Sequence, residues 1–213
     1  MPNHEARTRT SGRRRSEDAH QEVLQGVLEM LEEQGYGAIT IEGVAARTGV
    51  AKSTIYRWWS SKGDLVMEAY GRAIRQRMPV PDRGSVEADL TAFVADLYRI
   101  ARHPARMSAL RGLMAEAQVD ATFAESFRAW VGERQQVVTD LLQRGVDRGE
   151  LPTDADLRHA VDLVFGPFWY RLLVGHAPLR AADAPGHVRT VLAGLRQRPP
   201  GPAPATVRGG AAR

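Results

Sequence analysis

Hydrophobic residues recur along most of the chain at the three- and four-residue spacing of an amphipathic α-helix. No segment combines the strict alternation with the β-branched and aromatic content that are typical of a strand. No internal repeat interrupts the pattern. The sequence therefore predicts an all-α protein.

The spacing predicts four helices before residue 79. The fourth follows Ser61, which stands three residues before Asp64 in the form of a capping box. Pro79-Val80-Pro81 then forms a linker, because the residue before a proline disfavours the helical conformation. The predicted bounds are a first helix after Ser16 that ends at Gly35, a short helix from Thr40 to Gly49, a short helix over 52–59, and a helix from Ser61 to the linker.

Five longer helices are predicted beyond the linker, over 85–102, 104–118, 121–148, 154–175 and 183–197. The two ends of the chain differ from the rest. Residues 1–15 are basic and residues 199–213 are rich in proline, glycine and alanine, so both are predicted to be disordered. The helical part divides into a domain at 16–78 and a second domain at 82–198.

Composition narrows the classes of protein. The chain has 213 residues, of which 43% are hydrophobic and 25% charged, and it has no cysteine. No apolar run is long enough to span a membrane, and no apolar segment of a secretory signal follows the basic N-terminus. We therefore expect a cytoplasmic protein without disulfides or thiolate metal sites.

The distribution of charge along the chain is more informative about binding partners than the net charge of +4. Five arginines lie in the first fifteen residues, where the only acid is Glu5. A flexible cationic arm of this kind attracts polyanions by releasing their counterions. The alternative is a solvated terminus that contacts nothing.

Residues 40–59 have the form of a helix-turn-helix. The Thr40 hydroxyl can cap a short helix with one narrow apolar face, and Gly49 suits the left-handed conformation of a tight turn. The helix that follows turns Val50 and Ile55 inward. A short, polar, cationic helix supported by two others has the geometry of a recognition helix in a DNA major groove.

The outward residues of this segment predict a DNA-binding surface. Lys52, Thr54 and Arg57 are of types that read base edges, whereas Tyr56 and Lys62 suit phosphates. A single lysine or arginine on a helix is nearly always part of a solvated surface, so the prediction rests on the whole set. It comprises Thr40, Lys52, Ser53, Thr54, Tyr56, Arg57, Trp58 and Lys62.

Residues 16–78 resemble the DNA-binding domain of the TetR family of repressors. The resemblance rests on Gly35-Tyr36, Thr40-Ile41, Val44-Ala45, Thr48-Gly49-Val50, Lys52-Ser53-Thr54-Ile55-Tyr56, Trp59, Lys62 and Leu65. It implies that the helix carrying Ser53, Thr54 and Tyr56 enters the major groove and that Tyr56 and Lys62 contact the DNA backbone. Ala51 departs from the pattern, since this family often has a capping serine or threonine there.

The resemblance also implies that residues 82–198 form a helical ligand-binding and dimerisation domain. The helix at 154–175 is apolar on two sides, so it needs two partners. We expect a dimer mate to cover one side together with the last helix, although a central helix of a monomer has the same pattern. The predicted interface comprises Val161, Phe165, Trp169, Leu173, Val188, Val191, Leu192 and Leu195.

Aromatic and aliphatic residues of the second domain are candidates for an effector pocket, although ordinary core packing explains each of them as well. Arg134 lies on an otherwise apolar helical stripe. It could neutralise an acidic ligand, extend into solvent, or pair with a carboxylate. The candidates are Phe93, Leu97, Leu113, Phe127, Trp130, Arg134 and Phe168.

These features predict a nucleoid-associated homodimer that binds a pseudo-palindromic operator as a repressor and is released by a small apolar or amphipathic effector. A transcriptional activator or an architectural DNA-binding protein is the alternative with the same domain. An enzyme is disfavoured, since no catalytic motif is present and no cofactor is implied. Asp156, His159 and Asp162 have the spacing of metal ligands on one helical face, but such a set is more often a solvated edge.

Overall fold

The computed structural model describes residues 5–196, with side chains from Ser16 onward. Residues 1–4 of the predicted arm and the predicted disordered tail at 199–213 lie outside this range. All regular structure within it is helical, which confirms the predicted all-α class. The helices are α1 (Glu5–Gln34), α2 (Ile41–Thr48), α3 (Lys52–Trp58), α4 (Lys62–Arg77), α5 (Val86–Ile100), α6 (Pro104–Val119), α7 (Ala121–Asp147), α8 (Leu157–Val174) and α9 (Ala184–Arg196), with short 3-10 turns at Tyr36–Ala38 and Ala181–Asp183.

The start of α1 is the one boundary that differs substantially from the prediction. The helix begins at Glu5 rather than after Ser16, so the predicted disorder of residues 5–15 is wrong for the backbone. This stretch contains no proline and a single glycine, and its alanine, arginine and glutamate residues favour the helix. Ser16 therefore lies inside a helix and does not cap one.

Side-chain caps define the starts of five helices, α2, α4, α5, α7 and α8. Thr40 accepts a hydrogen bond from the Gly43 N–H at 3.0 Å, and Ser61 accepts one from the Asp64 N–H at 3.1 Å. Ser85, Asp120 and Asp156 cap α5, α7 and α8 in the same way. Because these caps satisfy N–H groups that lack an intrahelical partner, they fix the boundaries near the predicted positions.

The N-terminal and C-terminal helices share one continuous hydrophobic core. α1 packs against α4 and α2, while α4 also packs against α7, and α6 packs against both α1 and α7. Two glycines of α4 permit this close packing. A Cβ added at Gly63 would lie 2.8 Å from the Phe123 ring, and one added at Gly71 would lie 2.9 Å from Trp130 Nε1.

Pro167 lies in the middle of α8 without ending the helix. Because proline has no N–H, the carbonyl oxygen of Leu163 lacks its usual partner four residues on. His187 of α9 replaces that partner, with Nε2 lying 3.1 Å from the Leu163 oxygen. The other ring nitrogen lies 2.9 Å from the Tyr98 hydroxyl of α5, so one histidine ties three helices together.

A buried carboxylate anchors the linker between α4 and α5. Asp89 is fully buried, and its Oδ2 lies 3.3 Å from Arg144 and 3.5 Å from Arg148, both on or just after α7. Asp89 also accepts the backbone N–H of Arg83, and Arg144 donates to the Pro81 carbonyl. The cluster therefore holds the linker against the end of α7.

We expect Asp89→Ala to lower the free energy of unfolding by about 3 kcal/mol, the lower end for breaking a buried ion pair. The loss stays at this end because the Arg144 and Arg148 side chains are 33% and 32% exposed and can be hydrated. Urea denaturation measures the change. Asp82→Ala is the control, since this exposed residue lies 3.8 Å from the same Arg144. Equal losses in the two variants would contradict the role of burial.

Candidate DNA-binding surface and effector cavity

The turn between α2 and α3 has the geometry of a helix-turn-helix. Gly49 ends α2 with a φ of 70°, in the left-handed region, and its N–H donates to the Ala45 carbonyl at 3.0 Å. Ile41 and Val44 are buried on the inner side of α2, and Ile55 is the buried anchor of α3. The apolar residues thus hold α3 by its inner face and leave its outer face in water.

The exposed face of α3 carries most of the predicted DNA-contacting residues. Lys52, Ser53, Tyr56 and Arg57 are exposed, and Thr54 is half-buried beside them. Thr40 is exposed at the start of α2 and Lys62 is half-buried at the start of α4. The fold therefore gathers these residues around one helix, as recognition of a major groove requires.

Trp58 is placed differently from the other members of the set. It is half-buried, and its ring meets the His20 ring of α1 at a centroid distance of 5.2 Å and the Trp59 ring at 5.5 Å. Trp59 is buried and donates from Nε1 to Glu68 at 2.6 Å. The two tryptophans chiefly fasten the end of α3 to α1 and α4.

The cations of this surface differ in how free they are to meet DNA. Lys52 pairs with Glu42 at 2.9 Å, and this hydrogen bond lowers the pKa of Glu42. Within the described range, Arg57 and Lys62 have no carboxylate within 4.0 Å. Arg57 lies 5.9 Å from the centroid of the Trp58 ring, and Lys62 Nζ lies 4.3 Å from that of Tyr36. Lys52 must therefore give up its ion pair with Glu42 before it can contact DNA, whereas Arg57 and Lys62 have no such ion pair to give up.

Ala51 precedes α3 and makes no side-chain cap, as its residue type predicts. The carbonyl of Ala51 nevertheless accepts the N–H groups of Thr54 and Ile55 at 2.9 and 3.1 Å. The first turn of α3 is thus formed by the backbone alone. Its first N–H groups are left for water or for phosphate oxygens.

A second feature is a largely apolar cavity between the two halves of the fold, with about 40 Å³ of free space. Five of the seven predicted effector residues line it: Phe93, Leu97, Trp130, Arg134 and Phe168. Leu113 and Phe127 are not among the lining residues; Leu113 is fully buried in the core, and Phe127 packs against neighbouring rings. The remaining lining residues are Tyr70, Ile74, Met78, Ile100, Leu110, Val131, Phe165 and Trp169.

Three of the lining residues that sequence reasoning missed, Tyr70, Ile74 and Met78, belong to or directly follow α4. α4 is the last helix of the predicted DNA-binding domain. The apolar positions of α4 predict that it is buried, but they do not indicate which helices cover it. Because the proline linker predicts a domain boundary after α4, the sequence gives no reason to expect α4 beside a cavity of the second domain. One wall of the cavity is therefore part of the DNA-binding unit.

Arg134 is the one charged residue of the cavity lining. Its Nε is buried and has no hydrogen-bond partner among the described residues. Burial lowers the pKa of this guanidinium, and the positive charge of Arg75 lowers it further. A guanidinium nevertheless stays protonated in proteins, so the cavity contains a fixed positive charge.

Two family models match this chain. The model "Bacterial regulatory proteins, tetR family" matches residues 23–69, and "Tetracyclin repressor-like, C-terminal domain" matches residues 80–191. The matched segments contain the helix-turn-helix and most of the cavity lining. The chain belongs to the TetR family.

Relatives of this TetR-family protein support the assignment. The HTH-type transcriptional regulator YdeS of Bacillus subtilis (strain 168) is 34% identical over 164 residues, which cover 76% of this chain and 82% of that protein. The DNA-binding transcriptional repressor TetR of Mycobacteroides abscessus is 28% identical, covering 76% and 85%. The crystal structure of the TetR family regulator SCO0332 has a TM-score of 0.75 at 31% identity and covers 84% of this chain and 98% of that one.

The protein is thus a DNA-binding transcriptional regulator and not an enzyme, and its family binds operators as dimers that respond to small molecules.

Asp156, His159 and Asp162 have the spacing of metal ligands in the sequence. In the structure, Asp156 accepts a hydrogen bond from the His159 N–H and caps α8. Among the side chains described, those of residues 16–196, no group of three could hold a metal. No helix in that range is long and apolar enough to cross a membrane.

Most residues of the predicted dimer interface are buried within one protomer. Val161, Phe165, Val188, Val191 and Leu192 are buried within their own protomer, so they offer no exposed face. Trp169 and Leu195 are half-buried, and only Leu173 is exposed. α9 turns its apolar side toward α5 and α8, and Phe165 faces Phe93, with ring centroids 5.9 Å apart.

Substitutions on the surface of α3 test the division between base and phosphate contacts. We expect Thr54→Ala and Arg57→Ala to weaken binding to a specific site about tenfold or more, and to weaken binding to random DNA much less. Tyr56→Phe and Lys62→Ala should weaken both. Fluorescence anisotropy at one fixed salt concentration measures the affinities. Arg128→Ala, an exposed arginine of α7, should change neither; equal losses on both DNAs in all four variants would refute the division.

Proposed function

We propose that this protein is a homodimeric repressor that binds a pseudo-palindromic operator and leaves it when a small apolar or amphipathic effector enters the cavity. The helix-turn-helix domain at 16–78 reads the DNA, and the domain at 82–198 holds the effector and the dimer interface. Such a regulator acts in the cytoplasm, at the nucleoid. The repressor name of the Mycobacteroides relative supports this sign of regulation over activation.

The contact between α4 and the cavity carries the proposal. The free space of about 40 Å³ is far below the roughly 300 Å³ or more that a drug-sized ligand occupies, so entry must push the walls apart. Tyr70, Ile74 and Met78 form one wall, and Trp130 lies against the backbone at Gly71. Displacing this wall moves α4 relative to α6 and α7, and with it the position of α3.

Movement of α3 matters because a dimer reads two half-sites. Two recognition helices must reach successive major grooves, about 34 Å apart. An effector that stabilises a different separation lowers operator affinity by its differential affinity for the two states. This mechanism requires only that the protein is a dimer and that α4 can occupy two positions relative to α6 and α7.

We propose a dimer face on α8 that differs from the one expected from sequence. Leu163, Tyr170 and Val174 are exposed at i, i+7 and i+11, which places them on one side of α8, and Leu173 extends the patch. The exposed residues of α9 beside it include Gly186, Thr190 and Ala193, which are small and permit close approach. A second copy that covers both helices would complete a four-helix bundle across a two-fold axis.

Operator selection tests the proposed function directly. The full-length protein is used to select binding fragments from a random-sequence DNA pool, and a recovered site is placed before a reporter gene. We expect a pseudo-palindrome with half-sites one helical turn apart and reduced transcription when the protein is expressed. Increased transcription would instead establish an activator, and the absence of any preferred sequence would refute the proposal.

Gly71→Ala tests the coupling without any effector. The added methyl would lie 2.9 Å from Trp130 Nε1, so α4 and α7 must separate as they would around a ligand. We expect operator affinity to fall about tenfold, within the usual range of allosteric coupling. Gly132→Ala on α7 is the control, since a Cβ there meets nothing within 4 Å. Wild-type affinity in a folded Gly71→Ala protein would contradict the mechanism.

The dimer face is tested with Tyr170→Asp. Tyr170 is 61% exposed in the protomer, so the change should leave the fold intact while placing a desolvated charge in the interface. Sedimentation analysis should show monomers, with a parallel loss of operator binding. Val119→Asp at the end of α6 replaces another exposed apolar residue, 84% exposed, and should remain dimeric. A dimeric Tyr170→Asp protein would place the interface elsewhere.

A further inference from the structure

The cavity is lined almost entirely by apolar and aromatic side chains, and Arg134 is the one charged residue among them. The polar lining groups are the Arg134 guanidinium, the indole N–H groups of Trp130 and Trp169, and the Tyr70 hydroxyl. The first three can only donate hydrogen bonds. No carboxylate or amide side chain is among the lining residues, so none of them pairs with the charge of Arg134.

Arg134 is poorly satisfied within the protein itself. Its buried Nε has no partner, and no carboxylate of the described residues lies within 4.0 Å of its guanidinium. The neighbouring Glu133 does not serve, because it lies 3.4 Å from Arg75 of α4. A buried donor without an acceptor costs free energy, and a charged donor costs more than a neutral one.

A second cation strengthens the positive field at this end of the cavity. Burial lowers the pKa of Arg134 most, and the like charge of Arg75 lowers it further. Arg75 is exposed, whereas Arg134 is half-buried, so the charged end of the cavity lies toward solvent. Rings and aliphatic side chains, including Phe93, Phe168 and Ile74, form the rest of the walls.

We propose that the effector is an amphipathic organic anion, whose carboxylate-like group accepts hydrogen bonds from Arg134 and whose apolar body lies among the rings of the cavity. That the anion acts as an effector rests on the proposed function. Binding of the anion at this site does not depend on DNA. An anion supplies the acceptor that Nε lacks and offsets the repulsion between Arg75 and Arg134. A neutral or cationic molecule of the same shape does neither.

Three probes that share one alkyl chain isolate the role of the head group. Decanoate, decanol and decyltrimethylammonium are titrated into the full-length protein below their micelle concentrations, with calorimetry as the readout. We expect decanoate to bind at least about tenfold more tightly than decanol, because the difference is one charge-assisted hydrogen-bonding group. The ammonium compound should bind most weakly. Equal affinity for decanoate and decanol, or no binding of decanoate, would overturn the proposal.

Substitution of the arginine assigns the preference to one side chain. Arg134→Met keeps an apolar stem and removes the charge, so decanoate should lose its advantage while decanol binds at least as well as before. Arg134→Gln is a second variant in case the first fails to fold, with folding checked by thermal melting. Arg128→Met on the exposed side of the same helix is the matched control. A preference for decanoate that survives both Arg134 substitutions would assign the anion to another site.

The same titrations on operator-bound protein separate this inference from the proposed function. Decanoate that binds through Arg134 and also releases the operator supports both. Decanoate that binds through Arg134 but leaves the operator bound supports the anion site and contradicts its role in release. A protein that lacks any preferred DNA sequence but keeps the Arg134-dependent preference refutes the repressor function alone.

Discussion

The packing of α4 is the constraint on which both halves of the molecule depend. Nine of its sixteen residues are buried, more than the single apolar stripe of a surface helix requires. One side is covered by α1 and supports the helix-turn-helix, while the other is covered by α6 and α7 and lines the cavity. Gly63 and Gly71 make this possible, because any side chain there would collide with Phe123 or Trp130. DNA binding and the cavity therefore share one rigid element.

The two positively charged regions serve different purposes because their surroundings differ. Arg57 and Lys52 lie in water, where salt screens them, so they add long-range attraction to phosphate and exchange partners readily. Arg134 is half-buried among rings, where a charge interacts more strongly and an unmet hydrogen bond costs more. The exposed cations suit a polyanion that is approached and released, whereas the buried one suits selection of a single anionic group.

Local rules predicted most of the fold, and tertiary packing accounts for what they missed. Helical spacing, the caps at Thr40 and Ser61, and the left-handed Gly49 were all readable because each depends on residues close in sequence. The residues of α8 show the limit of this reasoning. A helix that is apolar on two sides can be covered by its own protomer or by a partner, and periodicity does not distinguish the two. Phe165 was therefore assigned outward although it packs on Phe93, while the exposed Leu163, Tyr170 and Val174 were overlooked. The same limit hid the α4 wall of the cavity, since the proline linker suggested a division that the core does not respect.

Because the cavity is small, its closed form is the ligand-free state, and a ligand has to favour the open form in order to bind. With about 40 Å³ of free space, the cavity has room for only a few water molecules, so its walls lie close together when no ligand is bound. A bulky molecule binds only by opening the walls, which costs contact energy and has to be offset by interactions absent from the closed state. Apolar contacts contribute little selectivity here, because the closed walls already make such contacts with each other. The unpartnered Nε of Arg134 is different, since its hydrogen bond is missing in the closed state and an anion can supply it. A ligand that satisfies Arg134 therefore has a differential affinity for the open state, which is the only quantity that can shift the position of α4 and release the DNA.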